Sequence, residues 1–119
     1  MLILFTKDLF FVPSVKTIAS QCQLSTLVAL SLETVALASV ESCNVKVCVV
    51  DLSSYSQAGV SEIAAAISSR FPTAKTVGYG PHVQVQKLEN ARVAGFDAVL
   101  TRGQLTNKLA ELLDQWLQS

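Results

Sequence analysis

The run Val-Lys-Val-Cys-Val-Val at residues 45–50, which closes on Asp51, constrains the fold of this chain more than any other feature. A short run rich in β-branched residues is typical of a strand that is buried on both faces of a parallel sheet. The carboxyl ends of such strands form the edge at which ligands bind and chemistry takes place. We therefore expect Asp51 to stand at a functional edge.

Runs with the character of strands alternate along the chain with stretches of helical spacing. Strands are predicted at residues 2–5, 24–30, 45–50, 74–79 and 98–101. Residues at helical spacing, most of them apolar or small, predict five helices between and after these strands. These residues are Val12, Val15, Ile18 and Ala19; Leu32, Val35, Ala36, Ser39 and Val40; Val60, Ile63, Ala64 and Ile67; Val85, Leu88, Arg92 and Gly95; and Leu105, Leu109, Leu112 and Trp116.

This alternation predicts an α/β fold. Strands joined through helices imply right-handed crossovers and a parallel sheet that helices cover on both faces. Five such units in 119 residues predict a flavodoxin-like, doubly wound five-stranded parallel sheet, (βα)5, with strand order 2-1-3-4-5. A closed eight-stranded barrel needs about twice this length. Because no linker or repeat interrupts the chain, we expect one domain over residues 1–119.

Charge and cysteine content limit the partners and the compartment. Nine basic and nine acidic residues give a formal net charge of zero, which argues against a nucleic-acid surface and permits self-association. Cys22, Cys43 and Cys48 form no Cys-x-x-Cys pair, so we expect buried thiols and a cytoplasmic location. The apolar opening is broken by Lys7 and Asp8, and no run approaches the about 18 apolar residues of a membrane span, so we expect no signal peptide and no membrane partner.

Polar residues follow the predicted strands at the carboxyl edge of the sheet, which we call the rim. The candidate rim residues are Thr6, Lys7, Asp8, Asp51, Gly78, Tyr79, His82, Thr101 and Arg102. Asp51 either accepts a phosphoryl group as an acyl phosphate, or pairs with Lys7 or Arg102, or caps backbone amides. A lone acid that faces a lysine is a poor Mg²⁺ site, so we expect no metal and no other cofactor.

Several motifs of catalytic and nucleotide-binding proteins are missing from the sequence. It contains no GxxxxGK[ST] or GxGxxG after the first strand and no GxSxG elbow. No nucleophile–base pair can be named either, so we expect no enzymatic activity. Tyr79 either gates the rim or fills it, and His82 lacks an evident partner. The stretch Leu9, Phe10 and Phe11 either packs beneath the first helical turn or forms an exposed patch for a partner.

Over its whole length the chain resembles the receiver domain of bacterial response regulators. The resemblance rests on residues 47–51 as the phosphoacceptor strand, on Phe71-Pro72 before the fourth strand, and on residues 91–102, where an alanine-glycine turn leads through Phe96 to an acid and the fifth strand. The family pattern places two adjacent acids after the first strand, a Ser or Thr at the end of the fourth, and lysine-proline after the fifth. The matching positions here are Thr6 and Lys7, Gly78 or Tyr79, and Arg102-Gly103, so Asp51 alone is retained.

The resemblance implies a degenerate receiver, or pseudo-receiver, that keeps the fold and lacks the metal-dependent switch. We expect a phosphorylation-independent protein–protein interaction module in a two-component signalling assembly, with homodimerisation through the face of the fourth helix, fifth strand and fifth helix as one arrangement. One alternative is an atypical phosphoacceptor that uses Asp51 with Lys7 and Arg102. The other is a sensor that binds a small ligand at Tyr79, His82 and Arg102.

Overall fold

The computed structural model describes residues 1–30 and 40–117 and contains a five-stranded sheet. The strands β1 to β5 are Leu2–Phe5, Thr26–Ala29, Val47–Asp51, Lys75–Gly80 and Ala98–Thr101. Their order is β2-β1-β3-β4-β5, and every neighbouring pair is parallel. The described helices α1 to α4 are Val12–Gln21, Gln57–Arg70, Val85–Val93 and Arg102–Leu117. The predicted fold class and strand order are confirmed.

Most predicted elements are present, with small differences at their ends. The second predicted strand is shorter than expected, because residues 24 and 25 precede its first paired residue, Thr26. The predicted helix that carries Leu32, Val35, Ala36 and Ser39 lies outside the described residues. Two short 3-10 turns, Ser42–Asn44 and Leu52–Ser54, flank β3.

Alternate residues of the central strands enter two separate cores, one on each face of the sheet. Ile3, Phe5, Cys48 and Val50 face the core that includes buried side chains of α2 and α3. Leu2, Leu4, Val47 and Val49 face the core that includes those of α1 and α4. Burial on both faces explains why these strands are continuous apolar runs with no polar alternation.

The prediction of three buried thiols is wrong. Of the three cysteines only Cys48 is buried, whereas Cys22 is half-buried and Cys43 is exposed, because Cys43 lies in the 3-10 turn that precedes β3. Val85 begins α3, within the predicted helix, and is exposed, whereas Leu88 and Ala91 are buried. Gly95 lies beyond the end of α3 with φ of +101°, a left-handed conformation that favours glycine.

No described helix combines the length and the apolar composition that are needed to cross a membrane.

Gly78 permits a close approach between β4 and the core on the α2–α3 face. A Cβ atom built at Gly78 would lie 2.8 Å from Cδ2 of Phe96 and 3.2 Å from Cδ2 of Leu52. Gly78→Ala should therefore lower the free energy of unfolding by about 1–3 kcal/mol through overpacking. Gly103→Ala is the matched control, because the nearest atom to its added Cβ is Oγ1 of Thr101 at 3.9 Å. Urea denaturation of both variants tests this, and equal stabilities would contradict it.

Candidate functional site

Asp51 ends β3 at the rim and is almost completely enclosed, with only 2% of its surface exposed. In the sheet it lies beside Tyr79 of β4, while β1 on the other side ends one residue before Thr6. Thr6 is itself buried. The parallel register therefore brings the ends of three strands around one carboxylate.

Three neutral donors among the described residues hold this carboxylate. The hydroxyl of Thr6 donates to Oδ2 of Asp51 at 2.8 Å, and the hydroxyl of Ser54 donates to the same oxygen at 3.0 Å. The backbone amide of Ser53 donates to Oδ1 at 3.2 Å. We call Thr6, Asp51, Ser53 and Ser54 the hydroxyl cluster. The prediction that Asp51 caps a backbone amide is confirmed.

The hydroxyl cluster also fixes the loop that follows β1. Oγ of Ser54 accepts the amide hydrogen of Lys7 at 2.9 Å, and Oγ1 of Thr6 accepts that of Asp8 at 3.0 Å. Each hydroxyl therefore donates on one side and accepts on the other. Removal of either one would disturb both the carboxylate and the loop after β1.

The two predicted cationic partners of Asp51 lie elsewhere. Nζ of Lys7 lies 5.5 Å from the ring centroid of Tyr55. Nη2 of Arg102 donates to Oγ of Ser53 at 3.3 Å. Within residues 1–30 and 40–117 neither side chain forms an ion pair with Asp51. The predicted pairing of Asp51 with Lys7 or Arg102 is wrong.

Tyr79 fills the space beside Asp51 and does not gate the rim. Its side chain is fully buried, and its ring lies edge-to-face against Phe11 with the centroids 5.5 Å apart. Burial raises the pKa of the Tyr79 phenol, the negative charge of Asp51 raises it further, and the nearby Thr6 hydroxyl and Arg102 guanidinium oppose this shift. The phenol oxygen has no hydrogen-bond partner in the part of the chain that the structure describes, and neither has Nε of Arg102.

Tyr55 contrasts with Tyr79 because its hydroxyl has an acceptor. Oη of Tyr55 donates to the backbone carbonyl oxygen of Leu30 at 2.6 Å, which ties the segment after β3 to the end of β2. Burial raises the pKa of Tyr55 to about 12, with a further contribution from the charge of Asp51.

Four candidate residues do not join the hydroxyl cluster. Gly78 faces Phe96, and the side chain of His82 is exposed. Thr101 caps α4, because its Oγ1 accepts the amide hydrogen of Gln104 at 3.2 Å. Oδ1 of Asp8 accepts the amide hydrogen of Phe10 at 3.0 Å.

Ser54 was not among the predicted site residues, although the sequence contains a signal for it. An aspartate that ends a strand and is followed by two serines is suited to an Asx turn, in which the carboxylate accepts nearby donors. Nothing in the pattern gives the direction of the Ser54 side chain, which depends on the 3-10 turn Leu52–Ser54.

Leu9, Phe10 and Phe11 were predicted either to pack beneath the first helical turn or to form an exposed patch, and they differ from one another in burial. Leu9 and Phe10 are 70% and 74% exposed, so the prediction that they pack beneath the first turn is wrong. Both precede α1, in the loop that follows β1. Phe11 is half-buried and packs against the core on the α1–α4 face.

The rim does not fit a magnesium ion. Mg²⁺ binds through several oxygen ligands in an octahedral arrangement. Here Asp51 is engaged by hydroxyl and amide donors, the positions beside it are Thr6 and Lys7, and Asp8 is exposed and accepts a backbone amide. Among residues 1–30 and 40–117 no group of three His, Cys, Asp or Glu side chains is placed to hold a metal.

No protein-family model matches the sequence, and no curated protein matches it. Solved structures do resemble it. A response regulator from Thermotoga maritima superimposes with a TM-score of 0.75 at 14% identity, covering 99% of this chain and 97% of that one. The receiver domain of NtrX from Brucella abortus gives 0.75 at 15%, covering 100% and 99%. The BeF3-activated DrrB receiver domain gives 0.77 at 18%, covering 99% and 97%.

The chain has the receiver fold. At these identities the likeness concerns the fold alone. On this receiver fold the rim carries the hydroxyl cluster, with Asp51 at its centre.

Thr6→Val keeps the shape of the side chain and removes its hydroxyl. A buried carboxylate oxygen then loses one donor and the amide of Asp8 loses its acceptor, so the free energy of unfolding should fall by about 1–3 kcal/mol. Thr106→Val is the matched control, because Thr106 is exposed on α4. Urea denaturation measures both variants. A Thr6→Val protein as stable as the control would show that the Thr6 hydroxyl contributes nothing to the stability of the fold.

Tyr79→Phe and Tyr55→Phe remove the same atom from different surroundings. The Tyr79 hydroxyl is buried without a partner, so its loss should leave stability unchanged or raise it by up to about 1 kcal/mol. The Tyr55 hydroxyl donates to Leu30, so its loss should lower stability by about 1 kcal/mol. Thermal denaturation of the two variants beside the wild type gives the comparison. The opposite order would contradict the described hydrogen bonding.

Proposed function

We propose that this chain is a phosphorylation-independent protein–protein interaction module built on the receiver fold, acting in a signalling assembly. The hydroxyl cluster carries the proposal. Asp51 occupies the position of a phosphoacceptor, yet its carboxylate is enclosed and held by Thr6, Ser53 and Ser54. An aspartate in this state serves the structure of the rim.

Phosphoryl transfer to Asp51 would require two changes at the rim. A carboxylate oxygen would have to leave its donors in order to attack phosphorus, and charge on the transferred group would have to be neutralised, usually by Mg²⁺. Lys7 lies over Tyr55 and Arg102 donates to Ser53, so neither contacts the carboxylate in the observed arrangement. These contacts favour a structural role for Asp51 over a phosphoacceptor role. We also propose that the chain has no catalytic activity.

Binding is favoured by the surface beside the hydroxyl cluster. Leu9 and Phe10 expose apolar side chains where they follow β1. Contiguous exposed apolar residues on a small domain are typical of interaction sites. The fourth and fifth predicted helices are α3 and α4 of the structure. Homodimerisation through the face that they form with β5 stays a prediction.

The test is a backbone amide NMR spectrum of the full chain with and without Mg²⁺ and beryllofluoride, which mimics an aspartyl phosphate. We expect no saturable shifts at Asp51, Tyr79 or Arg102, because the hydroxyl cluster already occupies the carboxylate. A receiver domain with the complete acidic pattern serves as the positive control. Asp51→Asn serves as the negative control, since asparagine keeps an acceptor oxygen for the amide of Ser53.

Saturable shifts at these residues that disappear in Asp51→Asn would overturn the proposal. They would establish Asp51 as an atypical phosphoacceptor.

A further inference from the structure

Phe10 is the outermost ring of a stack that is anchored in the core. Its centroid lies 5.0 Å from that of Phe11 in an edge-to-face arrangement, and Phe11 contacts the buried ring of Tyr79 in the same manner at 5.5 Å. Oδ1 of Asp8 accepts the amide hydrogen of Phe10 at 3.0 Å. A ring that is held through both its side chain and its backbone loses little conformational entropy when a partner covers it.

Leu9 and Phe10 form a continuous apolar pair on the surface, 70% and 74% exposed. At this exposure the phenyl ring alone offers on the order of 150 Å² of area to a partner. Two copies of the chain that cover this pair on each other would bury an apolar centre of roughly 500 Å², which is less than a stable dimer needs. An association through this pair is therefore weak and reversible, with further area supplied by the side chains around it.

The two side chains that precede the apolar pair carry opposite charges. Lys7 and Asp8 are both exposed, and neither forms an ion pair with a described residue. The amide of Phe10 and the tyrosine ring beside Lys7 are neutral contacts, so both charges persist. Deeper in the rim, the half-buried Arg102 and the buried Asp51 offset each other. The surface therefore has no net charge that would select an acidic or a basic partner.

A neutral surface with adjacent opposite charges is complementary to itself. In a contact between two identical surfaces about a two-fold axis, each pairing between two different residues occurs twice. Lys7 of one copy can then face Asp8 of the other on both sides of an apolar centre. The formal net charge of the chain is zero, so long-range repulsion does not oppose the approach of two copies.

We propose that Lys7, Asp8, Leu9 and Phe10 form the docking surface for a second copy of this chain. This inference rests on the proposed interaction function and names the partner. The surface belongs to the loop after β1, and β3 and β4 lie between β1 and β5 in the sheet. It is therefore a different surface from the face of α3, β5 and α4 that the resemblance to receiver domains predicts for a dimer.

Sedimentation velocity of the full chain between about 10 µM and about 1 mM covers the range in which an interface of this size associates. We expect a reversible dimer whose population rises with concentration. Phe10→Ser should weaken dimerisation about tenfold or more, as expected for an aromatic residue at the centre of an interface.

Two charge reversals test the pairing across the two-fold axis. Lys7→Glu and Asp8→Lys each place like charges opposite one another twice, so each variant alone should dimerise about tenfold more weakly. An equimolar mixture of the two variants restores opposite charges at both contacts, so a heterodimer should form with an affinity close to that of the wild-type dimer. Recovery in the mixture distinguishes charge pairing from a change in loop conformation, which mixing would not repair.

Val93→Ser is the matched control, because Val93 is 81% exposed at the end of α3 that lies away from the rim. We expect less than a twofold effect on dimerisation from this variant. Amide spectra of all four variants establish that each is folded, so that a loss of dimerisation reports the surface.

The outcomes separate this inference from the proposed function. A chain that stays monomeric throughout, a dimer that is insensitive to Phe10→Ser, or a mixture without recovery would overturn this docking surface. Each of these results leaves the proposed function standing, because the beryllofluoride spectra test that function separately.

Two further results would assign dimerisation differently. Loss of the dimer in Val93→Ser with Phe10→Ser unaffected would place the interface on the face of α3, β5 and α4, and the inference would be wrong. A dimer that is sensitive to Phe10→Ser but forms only with Mg²⁺ and beryllofluoride would overturn phosphorylation independence and leave the docking surface standing.

Discussion

The hydrogen bond from Thr6 to Asp51 is the contact on which the rim depends. It joins the ends of β1 and β3, neighbouring strands whose register places Thr6 next to the carboxylate. With this donor present, a buried carboxylate is satisfied without a cation, and Lys7 and Arg102 are left for other contacts. Because an unsatisfied buried carboxylate is costly, the neutral donors are what permit an aspartate to be enclosed here.

The rim contains two different units, a buried polar cluster and an aromatic stack that reaches the surface. The hydroxyl cluster is polar, buried and internally satisfied, so it holds the loops after β1 and β3 in place. The stack from Tyr79 through Phe11 to Phe10 is apolar and ends at the surface. The first unit provides rigidity and the second provides exposed area, and Arg102 lies between them.

The sequence predicted the fold well because the fold depends on periodicity. Uninterrupted apolar strands such as residues 2–5 and the helical spacing of Val60, Ile63 and Ile67 are consequences of burial, and burial follows from the sheet. The site was predicted less completely. The position of Asp51 at the rim followed from its place after β3, but the donors Thr6 and Ser54 depend on rotamers and on a 3-10 turn that no periodic pattern records. The exposure of Phe10 likewise depends on the conformation of one loop.

The most direct test of the hydroxyl cluster is a crystal structure of the protein grown with Mn²⁺ in place of Mg²⁺, with anomalous data collected. We expect no anomalous peak bonded to Asp51, and we expect the hydroxyl oxygens of Thr6 and Ser54 to lie within hydrogen-bond distance of its carboxylate. A peak coordinated by Asp51, with either hydroxyl displaced, would contradict it and would return the rim to metal-dependent chemistry.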